Sequence, residues 1–348
     1  MGGDHAPGVV VEGALAAART LGLEILLVGR EEAIERELRA RGGRPPGVRI
    51  VPAAEVIGYD EPPVQAVRRK KDASLVVAAR LVKEGQADGM LSAGSTGALL
   101  AAGLFIVGRM DGVDRPALGT PVPTRSGRPV LLLDVGANAE NRPEHLVQFA
   151  VMGSVYAQTA LGMAEPRVGL LNIGTEAEKG NALVKEAYAR LKEVPGIRFI
   201  GFVEPRDVPF GAAEVVVTDG FTGNVVLKTY EGAAMALMGM LRDAFASSPL
   251  ARVGGLLARP ALRRVRRTTD WTEYGGAPLL GLRAPVVKCH GASDGRAILS
   301  GLRVLKGLLE GQAIPRMAAA LVASLAGVGE KGKGATSRPD SEPREGKE

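Results

Sequence analysis

Most side chains in this sequence whose types and spacing could do chemistry sit in five glycine-bearing loops. They are SAGSTGALL (92–100), DVGANAEN (134–141), NIGTEAEKGN (172–181), TDGFTGNVVLK (218–228) and HGASDG (290–295). A glycine at a turn lets backbone N–H groups approach an oxyanion, and a helix that starts there points its positive end at it. Ser95, Thr96, Thr175 and Thr222 add hydroxyls, and Asn138 and Asn141 add amides. With Gly94, Gly97 and Gly223, these residues are the candidates for binding a phosphate-sized anion. For any single loop, a strand-to-helix turn with an N-cap is the more economical explanation. Several such loops at corresponding strand ends favour the anion.

Two further side chains stand out. Lys179 precedes Gly180-Asn181 and falls within the first turns of an expected helix, where a cation is disfavoured unless an anion lies nearby. Its alternative is a solvated lysine paired with Glu176. Asn224 opens a long apolar helix, and either caps it or offers its amide to the cleft. Ala93-Gly94-Ser95-Thr96-Gly97 is one residue from a G-x-S-x-G nucleophile elbow, and Asp219 and His290 follow in acid–base order. Ala93 replaces the first glycine, however, and a capping serine is far commoner than a nucleophile. No GxGxxG opens a helix, and GVGEKGKG from Gly327 has Gly334 where a P-loop needs Ser or Thr. One cysteine and three histidines without ligand spacing supply no metal site and no disulfide. Cys289 reads as core and His145 as an exposed helix start.

These loops need a scaffold that presents them together. Apolar, β-branched runs at 24–28, 49–51, 89–91, 130–134, 168–173, 198–203, 214–218 and 286–289 alternate with helical patterns at 31–41, 97–107, 144–161, 176–193, 223–245 and 295–310. That alternation predicts a three-layer α/β/α fold with a mostly parallel sheet and ligands at the carboxyl ends of the strands. Residues 1–329 read as one catalytic unit. Within it, about 230–271 form a protruding helical tip, where residues 247–269 carry six arginines and no acid. There Leu250, Val253 and Leu257 share a face, beside Leu256, Arg263, Arg264, Arg266 and Arg267, and Pro260 is expected to end that helix or start another. Residues 330–348 are too polar to fold and read as a disordered tail.

With 348 residues, 46% hydrophobic and 24% charged, the composition is that of a globular protein with a sizeable core. No signal peptide is visible, and the charge-free stretch 89–108 is too rich in Gly, Ser and Thr for a membrane span. The single cysteine reads as a cytosolic compartment. The net charge of +6 suits acidic partners or anionic membranes. Without an RNP-like motif, zinc finger or interleaved aromatics, nucleic acid is not an expected partner.

The motifs MGGDHAP, LSAGSTGALL, DVGANAEN, NIGTEAEKGN, TDGFTGNVVLK and KCHGASDG, in this order, resemble those of the bacterial acyl-carrier-protein:phosphate acyltransferases of phospholipid synthesis, the PlsX family. The resemblance runs from Met1 to about Leu325. It implies a homodimeric α/β/α enzyme related in fold to phosphate acetyltransferases and isocitrate-type dehydrogenases. The implied reaction moves a long-chain acyl group from acyl carrier protein to inorganic phosphate, without a cofactor. Its acyl phosphate feeds a membrane glycerol-3-phosphate acyltransferase, and the enzyme works at the inner membrane face without spanning it. The family's proposed catalytic lysine falls on Lys179 and its asparagine on Asn224. The basic tip then docks either an anionic bilayer, which its interleaved apolar and basic residues favour, or the acidic carrier protein. The plainer alternative is a dimer-packing helix.

The family usually opens with a short strand ending in Asp-Ala-Met-Gly-Gly-Asp, whereas this sequence starts at that Met. A gap in the sheet is therefore expected, with the true start upstream. Two rivals share these features. One is a phosphate acetyltransferase-like enzyme using short acyl-coenzyme A, and the other is a non-catalytic, membrane-associated adaptor.

Overall fold

The computed structural model describes residues 1–269 and 275–331, with the backbone alone at 264, 266–269 and 325–331. The tail at 332–348 lies outside the described residues, as do the side chains of Arg264, Arg266 and Arg267. The strands β1 (Ile25–Gly29) and β2 (Val48–Pro52) pair in parallel as a separate ribbon. Eight others form the main sheet: β3 (Met90–Ser92), β4 (Ala117–Val122), β5 (Val130–Leu133), β6 (Arg167–Leu171), β7 (Arg198–Val203), β8 (Val215–Val217), β9 (Ala277–Leu280) and β10 (Val286–Lys288). Their order is β3-β10-β9-β4-β5-β8-β6-β7.

All eight strands expected from the sequence are present. The two it missed, β4 and β9, each carry a proline (Pro121 and Pro278), a residue that argues against a central strand. They decide the architecture. β10 pairs antiparallel with β9, β9 with β4, and β4 with β5, whereas β3–β10 and β5–β8–β6–β7 are parallel. Therefore β3, β4 and β10 run one way and β5–β9 run the other. The carboxyl ends of β3 and β10 open at one end of the sheet, and those of β5, β6 and β8 at the opposite end.

Helices cover both faces, as the alternation predicted. Along β5, Leu131 and Leu133 point into one helical layer and Val130 and Leu132 into the other, all four fully buried. The first layer holds α6 (Pro143–Ala160), α7 (Ala182–Leu191), α10 (Gly295–Glu310) and α11 (Ala313–Lys331). The second holds α3 (Pro63–Arg69), α4 (Ser74–Lys83), α5 (Thr96–Ala102), which continues as a π-turn at Gly103–Val107, and the first turns of α8 (Gly220–Ala246). The helices α1 (Gly8–Leu21) and α2 (Glu31–Ala40) pack on the β1–β2 ribbon. Because α11 runs to Lys331, structure persists two residues into the segment expected to be a tail.

The expected gap in the sheet is present. β1 and β3 lie in separate sheets, and a cavity of about 450 Å³ is lined by residues of both, among them Leu27, Met90 and Leu91, together with Val10, Ala14 and Ile298 from the packed helices α1 and α10. Met1 packs on Gly29 and Gly2 on Gly94 at its rim.

The tip is a helical hairpin of α8 and α9 (Pro249–Thr269), with the Phe245 ring packed on Gly255. Contrary to expectation, α9 continues through Pro260. A proline removes one donor and crowds the carbonyl four residues back, a cost of about 3 kcal/mol that this helix bears.

Candidate functional site

The five loops do not converge at one end. Residues 134–141, 172–181 and 218–224 leave β5, β6 and β8, which are neighbours, and open together. Residues 92–97 and 290–295 leave β3 and β10 at the opposite end. The single crevice expected from corresponding strand ends is thus divided into two groups of loops. α8 begins over the first, and its Tyr230 hydroxyl reaches the Pro123 carbonyl just beyond β4, on the side where β3 and β10 end.

At the first end the organising group is Asp134, a fully buried carboxylate that the sequence reading passed over. Its Oδ1 accepts from the backbone N–H groups of Leu118 (3.0 Å), Gly136 (3.1 Å) and Ala137 (2.9 Å). Its Oδ2 accepts from the backbone N–H (2.8 Å) and side-chain Nδ2 (2.9 Å) of Asn138. Burial pushes the Asp134 carboxyl above its ordinary pKa, and the donors pull the other way. An acid ending the apolar run LLLD, just ahead of a glycine loop, was the available signal.

Asn138, a candidate for anion contact, is committed elsewhere. Its Nδ2 donates to Asp134 and to the Pro116 carbonyl (2.8 Å), so the side chain fastens the loop. Gly223 lies so close beneath this loop that a Cβ would stand 1.9 Å from the Asp134 carbonyl oxygen. Its role is close packing of α8 against the loop.

Asp219, not Asn224, caps α8, accepting from the Thr222 N–H at 2.9 Å. Asn224 is exposed one turn in, with its side chain over Gly136. Asn141 Oδ1 accepts weakly from the Gly220 N–H (3.4 Å), and its buried Nδ2 has no partner among the described residues. The Thr222 and Thr175 side chains are exposed in the same group of loops.

Lys179 lies outside α7, contrary to expectation. Asn181 takes the N-cap position, accepting from the Val184 N–H at 2.9 Å, so the helix starts at Ala182. The loop before it is held by buried Asn172, a second residue missed from sequence, whose Nδ2 donates to the Gly174 (3.0 Å) and Lys179 (3.3 Å) carbonyls. Gly180 has φ +93°, a conformation that suits glycine. The Lys179 side chain is exposed and makes no ion pair among the described residues, with Glu176 or any other acid. Its location gives a cation at the mouth of these loops, without the helix-end argument.

At the opposite end Ser95 is the N-cap of α5, its Oγ accepting from the Ala98 N–H (3.4 Å). The elbow reading fails on geometry: Ser95 is a cap, Asp219 caps α8 at the other end of the sheet, and no triad forms. Gly94 is buried under Gly2, Gly97 abuts Pro63, and Thr96 is exposed. Beside them Lys288, 8% exposed, donates its Nζ to the Cys289 carbonyl, and burial lowers its pKa to about 8. Burial pushes the Cys289 thiol up to about 12, in keeping with a core residue. His145 is not an exposed helix start: it is buried on Phe149, and its Nδ1 accepts from the Arg142 N–H at 3.1 Å.

On the tip, Leu250 (82%) and Leu257 (77%) are largely exposed, as are Val253, Leu256 and Arg263. Among the described residues no helix is long and apolar enough to cross a membrane, and no cluster of acidic, histidine or cysteine side chains could hold a metal ion.

An eight-stranded mixed sheet between two helical layers, with anion-type loops at strand ends, defines a phosphotransacetylase-like α/β/α fold. A phosphotransacetylase from Streptococcus pyogenes superposes with a TM-score of 0.61 at 19% identity, covering 88% of this chain and 91% of that one. The EutD phosphotransacetylase from Staphylococcus aureus gives 0.54 at 18%, covering 88% and 92%. The family model described as "Fatty acid synthesis protein" matches residues 1–316. A phosphate acyltransferase from Heliobacterium modesticaldum is 55% identical over 307 residues, 88% of this chain and 91% of that protein. One from Desulfitobacterium hafniense strain Y51 is 52% identical over 311 residues, 89% and 92%. The chain belongs to this phosphate acyltransferase family and is an acyltransferase.

Proposed function

We propose that the enzyme transfers a long-chain acyl group from acyl carrier protein to inorganic phosphate, making acyl phosphate for phospholipid synthesis. The observation that carries this reading is a set of donors on adjacent loops without protein acceptors among the described residues: the buried Asn141 Nδ2, the Lys179 ammonium and the Asn224 amide. A buried amide without an acceptor costs about 1–3 kcal/mol, and an oxyanion would satisfy it.

Phosphate is already an anionic nucleophile at neutral pH. One of its oxygens attacks the thioester carbonyl carbon, and a tetrahedral oxyanion forms. The C–S bond then breaks, and the carrier leaves as a thiolate that takes a proton from water. Neither a strong base nor a strong acid is required, so catalysis reduces to alignment and oxyanion stabilisation. Lys179 neutralises the phosphate or the oxyanion, and Asn224 donates to the same centre, with Asn141, Thr175 and Thr222 completing the donor set. The loop at 94–97, at the far end of the sheet, belongs to the side that receives the acyl donor.

The exposed leucines and arginines of the tip support peripheral attachment of a cytoplasmic homodimer to the inner membrane face. Acyl phosphate is delivered there to a membrane glycerol-3-phosphate acyltransferase. Each arginine near an anionic surface adds about 1 kcal/mol.

The deciding experiment is thiol release from purified long-chain acyl carrier protein, with and without phosphate, trapping acyl phosphate with hydroxylamine. Phosphate-dependent release with trapped product is expected. Release only from short acyl-coenzyme A would establish the phosphotransacetylase-like alternative, and no release from either donor would leave the adaptor reading.

A further inference from the structure

A second basic surface, away from the tip, lies on α3, α4 and the π-turn that ends α5. Arg68, Lys71, Arg80 and Lys83 ring a depression of about 440 Å³ around Phe105, and Glu84 is its one carboxylate among the described residues. Phe105 is 54% exposed, with the Arg68 guanidinium stacked 5.3 Å from its ring centre. None of the four cations has a carboxylate within ion-pair distance among the described residues, whereas neighbouring Lys70 is paired with Glu61 at 2.7 Å. Four unneutralised cations around an exposed aromatic ring form a polar rim around an apolar anchor, the usual anatomy of a protein-docking site.

The position fits the donor's side of the reaction. Phe105 lies nine residues beyond Thr96 along α5 and its π-turn, about 14 Å at 1.5 Å per residue. Pro63, which opens α3, packs on Gly97 in the loop at 92–97. The surface and that loop therefore share one rigid helical unit, on the same face of the sheet as the first turns of α8.

We propose that this surface docks the acidic protein that carries the acyl thioester, leaving the α8–α9 tip to the membrane. The inference rests on the reaction proposed above. The donor's acidic side chains meet Arg68, Lys71, Arg80 and Lys83, an apolar side chain covers Phe105, and the thioester arm runs beside α5 toward the cleft.

The test is steady-state thiol release from long-chain acyl carrier protein at low salt, comparing the wild type with K71E/K83E. The expected result is a KM for the carrier raised about tenfold or more, with kcat and the KM for phosphate unchanged. Salt should raise the wild-type KM and affect the variant less. Wild-type turnover with an unchanged carrier KM in the variant overturns the docking surface and leaves the reaction standing. No turnover by the wild type overturns the reaction and the docking with it. If K71E/K83E bound phosphatidylglycerol vesicles more weakly while its carrier KM stayed the same, the surface would belong to the membrane. Should the double reversal fail to fold, K71Q/K83Q is expected to raise the carrier KM about threefold, and no change there overturns the proposal equally.

Discussion

Replacing Asp134 by Asn tests whether one buried carboxylate builds the phosphate end of the site. The substitution preserves shape, so only hydrogen bonding and charge change. The remaining oxygen can keep the three donors now on Oδ1, from Leu118, Gly136 and Ala137. The new amide nitrogen must then face the N–H and Nδ2 of Asn138, donor against donor, where Oδ2 now accepts both at 2.8 and 2.9 Å. Hydrogen bonds to charged groups are worth about 1.5–3 kcal/mol each, so two cost about 3–6 kcal/mol. Removing a buried charge returns part of that, because burial is what lifts the Asp134 pKa. A net loss of about 3 kcal/mol should lower the melting temperature by about 4 °C in a chain of this size. Calorimetry gives the shift, and hydrogen exchange should quicken at 136–138. A melting temperature within 2 °C of wild type, with unchanged exchange, refutes the idea that this carboxylate organises the loop.

Lys179→Ala and Asn224→Ala should each lower turnover about 10²–10³-fold in the carrier-protein assay, with melting temperature unchanged because both side chains are exposed. Near-wild-type rates would remove them from the site. Gly223→Ala drives a Cβ into the Asp134 carbonyl, so α8 must shift off the loop; a stability loss above about 2 kcal/mol by urea unfolding is expected. Lys288 is held near pKa 8 in the fold against an ordinary 10.5, so from pH 8 to 10.5 the unfolded chain binds a proton that the folded chain does not. Stability therefore rises with pH across that window. Lys288→Met should be more stable than wild type at pH 7 by about 2–3 kcal/mol, with the gain vanishing toward pH 10.5. A pH-independent difference in parallel melts would refute this. Leu250→Glu with Leu257→Glu should abolish flotation with anionic liposomes while leaving the melting temperature unchanged.

Much of this was legible because its signals are local. A β-branched run closed by a glycine turn marks a strand whatever its neighbours do, and Val215–Val217 or Val286–Lys288 needed no tertiary information. Lys179 and Asn224 stand out in the sequence as a cation and an amide beside glycines, but the helix-end arguments for them do not hold: Asn181 and Asp219 are the caps. Asn138 shows the converse, since both its Nδ2 hydrogens are taken by Asp134 and Pro116, whereas the Ser95 cap engages only the oxygen as acceptor. Residue type shows that a donor or acceptor exists but not whether the fold already employs it, as it does the Asn138 amide.

The division of the loops was illegible because it depends on strand direction, which two weak strands set. Ala117–Val122 and Ala277–Leu280 lack the apolar signature, since glycine and proline interrupt them, yet they sit mid-sheet and reverse its polarity. Were both absent, the glycine loops would line one crevice, as alternating strands and helices suggest. With both present, the phosphate proposed at Lys179 and the donor proposed to enter by the 92–97 loop start from opposite ends. The helix from Asp219 toward Pro123 then joins them, carrying Asn224 at one end. The acyl group must therefore be brought to the phosphate along that helix. On that reading, selection among thioester donors falls to α5 and the 92–97 loop, remote from Lys179 and Asn224.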